Sequence, residues 1–213
     1  MTCAACGERM FVPLQPPPHP VPWEDRRRNA FRRWWQTYDK ALFSPQVFFK
    51  AIPYEGGHKP ALRFVVFFYL QFFMALAVLL PIFSLKNGKP DQVWKWVGIA
   101  VLAAPFFTGL MIALLYLFGA IDHFCLRLLG GKGTFEATLR VIAYSYPTVV
   151  VRSLPYVGKI LHPLWSLWCL THGFAAAHRL TKKRAFFGGL LGSGLSFFLI
   201  FAAGFLYGLF RRK

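Results

Sequence analysis

Polar and apolar positions in this chain fall into long blocks. Five apolar runs, 64–83, 97–121, 141–157, 161–177 and 186–210, contain few charges. At about 1.5 Å per residue, roughly 20 residues cross a hydrocarbon core about 30 Å thick. The runs predict an all-α, polytopic, multi-pass integral membrane protein, a bundle of five transmembrane helices within 44–213. Pro105 predicts a kink in the second run. Runs three and four are short, nearly continuous and interrupted by Pro147, Pro155 and Pro163. They read either as a tight hairpin that crosses fully or as a re-entrant pair, and both leave the C-terminus on the same side.

Upstream of the first run the pattern changes. Over 23–43, Phe31, Trp34, Trp35, Tyr38 and Leu42 recur at helical spacing, among Arg26, Arg27, Arg28, Arg32, Arg33 and Lys40. This predicts an N-terminal interfacial amphipathic helix, with aromatic rings at headgroup level and the basic side chains binding anionic lipid headgroups. The same pattern also fits a basic helix packed on the protein's own cytoplasmic loops. Nucleic-acid surfaces combine arginine with aromatics too, but a membrane run follows directly, so membrane lipids are the expected partner and nucleic acid is not. Residues 1–22 form a third unit, a CxxC followed by a Pro-rich linker. Proline favours an extended, semi-rigid spacer there.

Charge orients the bundle. The formal net charge is +17 over 213 residues, of which 56% are apolar and 18% aromatic. The segment before the first run holds ten of the 25 Lys and Arg residues. With the N-terminus inside, the inner side holds 17 of them and the outer side 8. The positive-inside rule therefore predicts a cytoplasmic N-terminus, and the cytoplasmic (inner) membrane if the source is bacterial. The N-terminal segment decides this count. The first 22 residues lack the apolar core of a secretory signal.

Candidate chemistry is sparse. Cys3 and Cys6 form half of a zinc ribbon. Structural zinc takes four ligands, no second CxxC follows, and His19 is the only other nearby donor. Zinc at Cys3 and Cys6 would be an intrachain site or one shared between two chains, four thiolates in all; otherwise these are a degenerate remnant or ordinary reduced cysteines. Gly130–Thr134 lacks the spacing of a phosphate loop. Asp122, His123 and His178 fall at run ends, where headgroups and water can solvate them, and His172 reads as the deepest titratable side chain. No nucleophile–base pair, metalloprotease helix or paired carboxylates occur, which argues against an enzyme. Gly188, Gly192, Gly204 and Gly208 make two small-xxx-small pairs. Such spacing suits packing inside the bundle or a homo-oligomer.

One stretch carries a resemblance. Gly130, Gly131, Gly133 and Phe135 precede Arg140-Val141-x-Ala143-Tyr144-Ser145-x-Pro147, and Trp165, Gly173, His178, Lys182, Lys183 and Ala185 follow. With Phe43-Ser44-Pro45, Phe48, Phe49 and Ile52 upstream, this resembles the Yip domain family (Ypt/Rab-interacting-protein type), especially its prokaryotic branch, over about 43–210. The resemblance implies a five-helix membrane domain with a cytoplasmic N-terminus, agreeing with the charge count. Eukaryotic relatives bind prenylated small GTPases in vesicle trafficking and membrane shaping. This chain lacks their long acidic cytoplasmic domain, so an unidentified protein partner is the most the resemblance carries. Prokaryotic members often begin with a short zinc ribbon, of which Cys3 and Cys6 would be half.

The marker cluster also has a physical reading. Arg140 stands at the inner end of run three, and the Tyr144 hydroxyl reaches the interface or a neighbouring helix. Ser145 or another helix is expected to help satisfy the carbonyl that Pro147 leaves without its helical donor. The cluster then packs the bundle, or alternatively lines a lipid or ligand groove. The function expected from the sequence is a non-enzymatic membrane scaffold or membrane-organising protein. The rivals are a small permease or channel lined by runs three and four with His172 and Arg152, and a membrane-bound metal or redox sensor using Cys3 and Cys6.

Overall fold

The computed structural model describes residues 21–55, 57–86 and 93–211. The CxxC and His19 lie outside the described residues, as do most of the Pro-rich linker and the turn between the first two runs. The described residues form α1 (Ala30–Phe43), α2 (Pro45–Lys50), α3 (Lys59–Lys86), α4 (Val93–Leu128), α5 (Phe135–Ser145), α6 (Gly158–His178) and α7 (Lys182–Phe210). Two 3-10 segments, Pro22–Glu24 and Tyr146–Ser153, complete the set, and no strand occurs among the described residues.

Among the described residues, three helices are long and apolar enough to cross a membrane: α3, α4 and α7 over Lys182–Ala202. Most residues of their apolar windows are not covered by protein. Phe72, Met74 and Leu79 of α3, Leu102 and Phe106 of α4, and Phe197 and Phe201 of α7 all point outward. Without water, an α-helix satisfies every internal backbone group by itself, which is why such surfaces suit lipid.

α3 and α4 form an antiparallel hairpin, with His58 just before α3 beside Tyr116 and Phe73 beside Phe107. α7 runs antiparallel to α4, meeting Leu126 at Gly188 and Asp122 at Gly192. One end of the bundle therefore gathers residues 21–55 and 57–58, the 128–135 loop and the α6–α7 turn.

The third run is not one helix. α5 ends at Ser145 and the chain tightens into the 3-10 segment. Proline has no N–H and its ring crowds the preceding turn. The Ala143 carbonyl, which Pro147 cannot serve, accepts from the Tyr146 N–H instead. Ser145 does not fill that place, because its hydroxyl donates to the Val141 carbonyl at 2.8 Å. Leu154, before Pro155, is extended (ψ 121°), as pre-proline sterics require. α6 then starts at Gly158 and continues through Pro163.

The core is built around α5. Ala137, Thr138, Leu139, Arg140, Val141, Ala143, Tyr144 and Ser145 are all buried in this one short helix. It packs against α3, α4 and α6 and touches α1. Phe48 and Phe49 of α2, Phe64 and Val65 of α3, Leu126 of α4 and Phe174 of α6 close around it.

Small residues let the outer helices approach. A methyl group at Gly192 would overlap the Asp122 carboxyl, and one at Gly188 would come within 2.6 Å of the Leu126 side chain. Gly188 and Gly192 thus pack inside the bundle. Gly194, Gly204 and Gly208 face open space. We expect Gly192→Ala to lower stability in detergent by about 1–3 kcal/mol, the usual cost of overpacking. Gly194→Ala should leave the thermal midpoint at or above that of the wild type.

Candidate functional site: a basic N-terminal face anchored to a buried arginine

Residues 21–43 lie against the start of α3. Trp23 donates its indole N–H to the Pro60 carbonyl at 2.9 Å and its backbone N–H to Thr37 Oγ1 at 2.8 Å. Its ring packs on Phe64 and Phe67. Asn29 caps α1 by accepting the Phe31 N–H. Asparagine suits this position because its short side chain reaches a donor the helix leaves free.

α1 divides its aromatic stripe. Tyr38 and Leu42 are buried together with Thr37 and Ala41. Trp34 is half-buried against Phe67 and Tyr38. Phe31 and Trp35 are 63% and 54% exposed, and Trp35 stacks on Tyr38. The stripe is therefore shared between the protein's own bundle and the outside.

The basic residues divide as well. Arg27 and Arg28 pair with Asp25 at 3.0 and 3.4 Å, and Arg28 also donates to Gln36. The hydrogen bond from Arg27 holds the Asp25 carboxyl below the usual carboxylate range. Its contribution is thus present at neutral pH and is lost as acid protonates it. Arg32 and Lys40 are exposed. Arg26 and Arg33 turn toward a cavity of about 490 Å³ with Trp23, Glu24, Pro60 and Arg63.

Glu24, on the cavity wall, reaches down to α5. It pairs with Arg140, whose side chain is fully buried, and accepts the Tyr144 hydroxyl at 2.6 Å. Arg140 also donates to the Gly57 carbonyl at 2.6 Å. Arg140 therefore lies deeper than a helix-end position suggests, because residues 21–24 and 57 fold over it. A buried guanidinium is tolerable only when paired and hydrogen-bonded.

A second polar cluster lies under the glycine loop. Thr138 Oγ1 is 2.8 Å from His178 Nε2 and 3.0 Å from His123 Nδ1. Gly130 has φ +87°, a left-handed backbone that glycine adopts at little cost. Side chains at Gly131 or Gly133 would collide with His178, and the Lys132 N–H donates to its carbonyl. His178, expected at a solvated run end, is instead fully buried beneath this loop. Asp122 differs in the same way. It is buried against Gly192, and its Oδ1 has no hydrogen-bond partner among the described residues.

The remaining marker residues make ordinary contacts. Phe135 packs on His123 and Tyr116. Trp165 donates to the Leu42 carbonyl at 3.0 Å. Gly173 gives Val141 room that a side chain would take. Pro147 starts the 3-10 segment. His172 sits near Lys50 and Lys182, whereas Arg152 sits near His162. The two residues of the expected permeation path therefore lie toward opposite ends of α6. No group of three metal-ligating side chains occurs among the described residues.

Sequence reasoning missed Glu24, Gly57 and Thr138. Glu24 is one of only eight acidic residues, but 116 positions separate it from Arg140, and no local pattern links them.

The Yip1 domain family model matches residues 40–204. The chain belongs to the Yip1 domain family, and with its three apolar helices it is an integral membrane protein. Neither a curated protein nor a solved structure matches it significantly.

Removing one partner of the buried pair strands the other. We expect Arg140→Ala to cost about 3–5 kcal/mol in detergent unfolding. Tyr144→Phe removes one hydrogen bond and should cost about 1 kcal/mol. Glu24→Gln combined with Arg140→Gln should be milder than the sum of the two single changes.

Proposed function

We propose that this chain is a non-enzymatic membrane scaffold whose N-terminal face associates with anionic lipid and presents the bundle to a protein partner. The observation that carries this reading is the attachment of that face. Exposed Phe31 and Trp35 share α1 with Arg32 and Arg33, and Glu24 ties the segment to Arg140 at one end of three membrane-length helices. Exposed aromatics beside guanidiniums suit the headgroup layer, where one group is sunk and the other reaches phosphate.

The same reading takes the chain across the membrane five times. α6 has 21 residues, a rise of about 31 Å. α5 and the following 3-10 segment have 11 and 8 residues, about 32 Å of rise in total. Both lengths match a hydrocarbon core of about 30 Å. The N-terminal face would lie on the cytoplasmic side, with the 128–135 loop beside it.

A small permease is the second reading, and Asp122 favours it. A buried carboxyl whose Oδ1 has no hydrogen-bond partner among the described residues, inside a membrane-length helix, is a functional candidate by default. It lies between α4 and α7 rather than in the third and fourth runs. Solute uptake by proteoliposomes that Asp122→Asn abolishes, with folding retained, would favour the permease over the scaffold.

Two measurements check the scaffold reading. In mixed micelles, phosphatidylglycerol should raise the thermal midpoint more than phosphatidylcholine, and the excess should shrink as salt rises. Equal shifts from both lipids would remove the electrostatic claim. In a cysteine-free background, a membrane-impermeant thiol reagent applied to intact cells should label Tyr156→Cys and spare Lys132→Cys. The reverse pattern would invert the topology.

A further inference from the structure

We propose that the cavity bounded by Trp23, Glu24, Arg26, Arg33, Pro60 and Arg63 is a site for one phosphate group, carried by a lipid headgroup or by a free phosphorylated solute. The site rests on the N-terminal face described above and narrows it from a diffuse basic surface to one built seat. Its volume of about 490 Å³ is within the range of small-molecule sites, which run from about 300 to 1,000 Å³.

Three guanidiniums reach it from three elements. Arg26 comes from the stretch between the first 3-10 segment and α1, Arg33 from α1, and Arg63 from the second turn of α3. Arg63 immediately precedes Phe64, where the first apolar run begins, so the cavity lies at the level headgroups occupy. The planar guanidinium fork matches phosphate oxygens in geometry as well as charge.

The charge balance at the cavity favours an anion. The one carboxylate among its described lining residues, Glu24, is paired from below by Arg140 and accepts the Tyr144 hydroxyl. Among the described residues, Arg26, Arg33 and Arg63 have no carboxylate partner, whereas the neighbouring Arg27 and Arg28 are paired with Asp25. Among the described residues, three positive charges therefore converge on the cavity against one paired carboxylate.

The walls are held in place. Trp23 is fixed by Pro60, Thr37, Phe64 and Phe67. Arg33 lies 5.4 Å from the centre of the Trp23 ring, and its Nη1 donates to the Trp23 carbonyl at 3.4 Å. Its Nε–H is buried and makes no hydrogen bond among the described residues. A buried donor without a partner is costly, and a phosphate oxygen would satisfy it.

The test uses the full chain in a neutral detergent. The probes are dihexanoyl phosphatidic acid, inorganic phosphate and dihexanoyl phosphatidylcholine, read by calorimetric titration. Phosphatidic acid should bind saturably at one site per chain and phosphatidylcholine far more weakly. Arg33→Gln and Arg63→Gln should each weaken binding about tenfold or more, the loss expected for one charge-assisted hydrogen bond. Lys183→Gln, the same charge change at an exposed site on α7, should weaken it less than about twofold.

Arg26→Gln, at an exposed position, supplies the test if Arg33→Gln does not fold. Competition by inorganic phosphate would identify a free phosphate source, and binding of the lipid alone a headgroup. Equal losses from Lys183→Gln and Arg63→Gln, or binding that never saturates, would overturn the site. If that happens while phosphatidylglycerol still stabilises the protein in a salt-dependent way, the scaffold reading stands and only the phosphate seat falls.

Discussion

Arg140 is a charge inside the most buried helix of the molecule, and much of the surrounding architecture serves to make that tolerable. A lone guanidinium there would be prohibitive. Glu24 neutralises it, Gly57 accepts one of its N–H groups, and Tyr144 donates its hydroxyl to the same glutamate. Each of these partners comes from a different part of the chain. The N-terminal stretch must fold back onto the bundle to deliver Glu24, and the α2–α3 connection must turn at Gly57 to present its carbonyl. One buried charge thereby sets where the N-terminal face sits relative to the membrane-length helices.

The bundle itself is held by contact rather than by burial from water. Lipid tails are as apolar as the side chains they would replace, so helices in a membrane associate by close packing and by polar contacts. Gly188 and Gly192 bring α7 onto α4, and Gly173 brings α6 onto α5. The polar contacts cluster at the end where Thr138 joins His123 and His178. The glycine loop, easily taken for a ligand loop, is instead shaped by the imidazole it covers.

That arrangement separates the molecule into two functional zones. The apolar windows of α3, α4 and α7 are largely uncovered by protein and suit lipid. The near end carries exposed aromatics, arginines and a cavity, all fixed to the core through Trp23 and Glu24. A basic face held in this way would suit the membrane-organising role proposed above. Mobility there would add ordering entropy to every binding event.

The all-helical class, the membrane setting and the Yip1 family were legible in the sequence. Long apolar blocks admit few other solutions in lipid, and the Arg140–Pro147 cluster is distinctive on its own. The prolines of runs three and four were visible as interruptions, but their effects differ: α5 ends before Pro147 whereas α6 continues through Pro163, because whether a helix continues past a proline depends on what its neighbours satisfy. Local patterns could not choose between lipid and protein for the α1 stripe, and the fold splits it, burying Tyr38 and Leu42 and exposing Phe31 and Trp35. Asp122 and His178 stood where solvent was expected, and glycines distant in sequence cover them. Glu24 became visible only in the folded chain. Pairing between charges 116 residues apart is decided by which surfaces the helices bring together, and that is a property of packing rather than of any stretch of sequence.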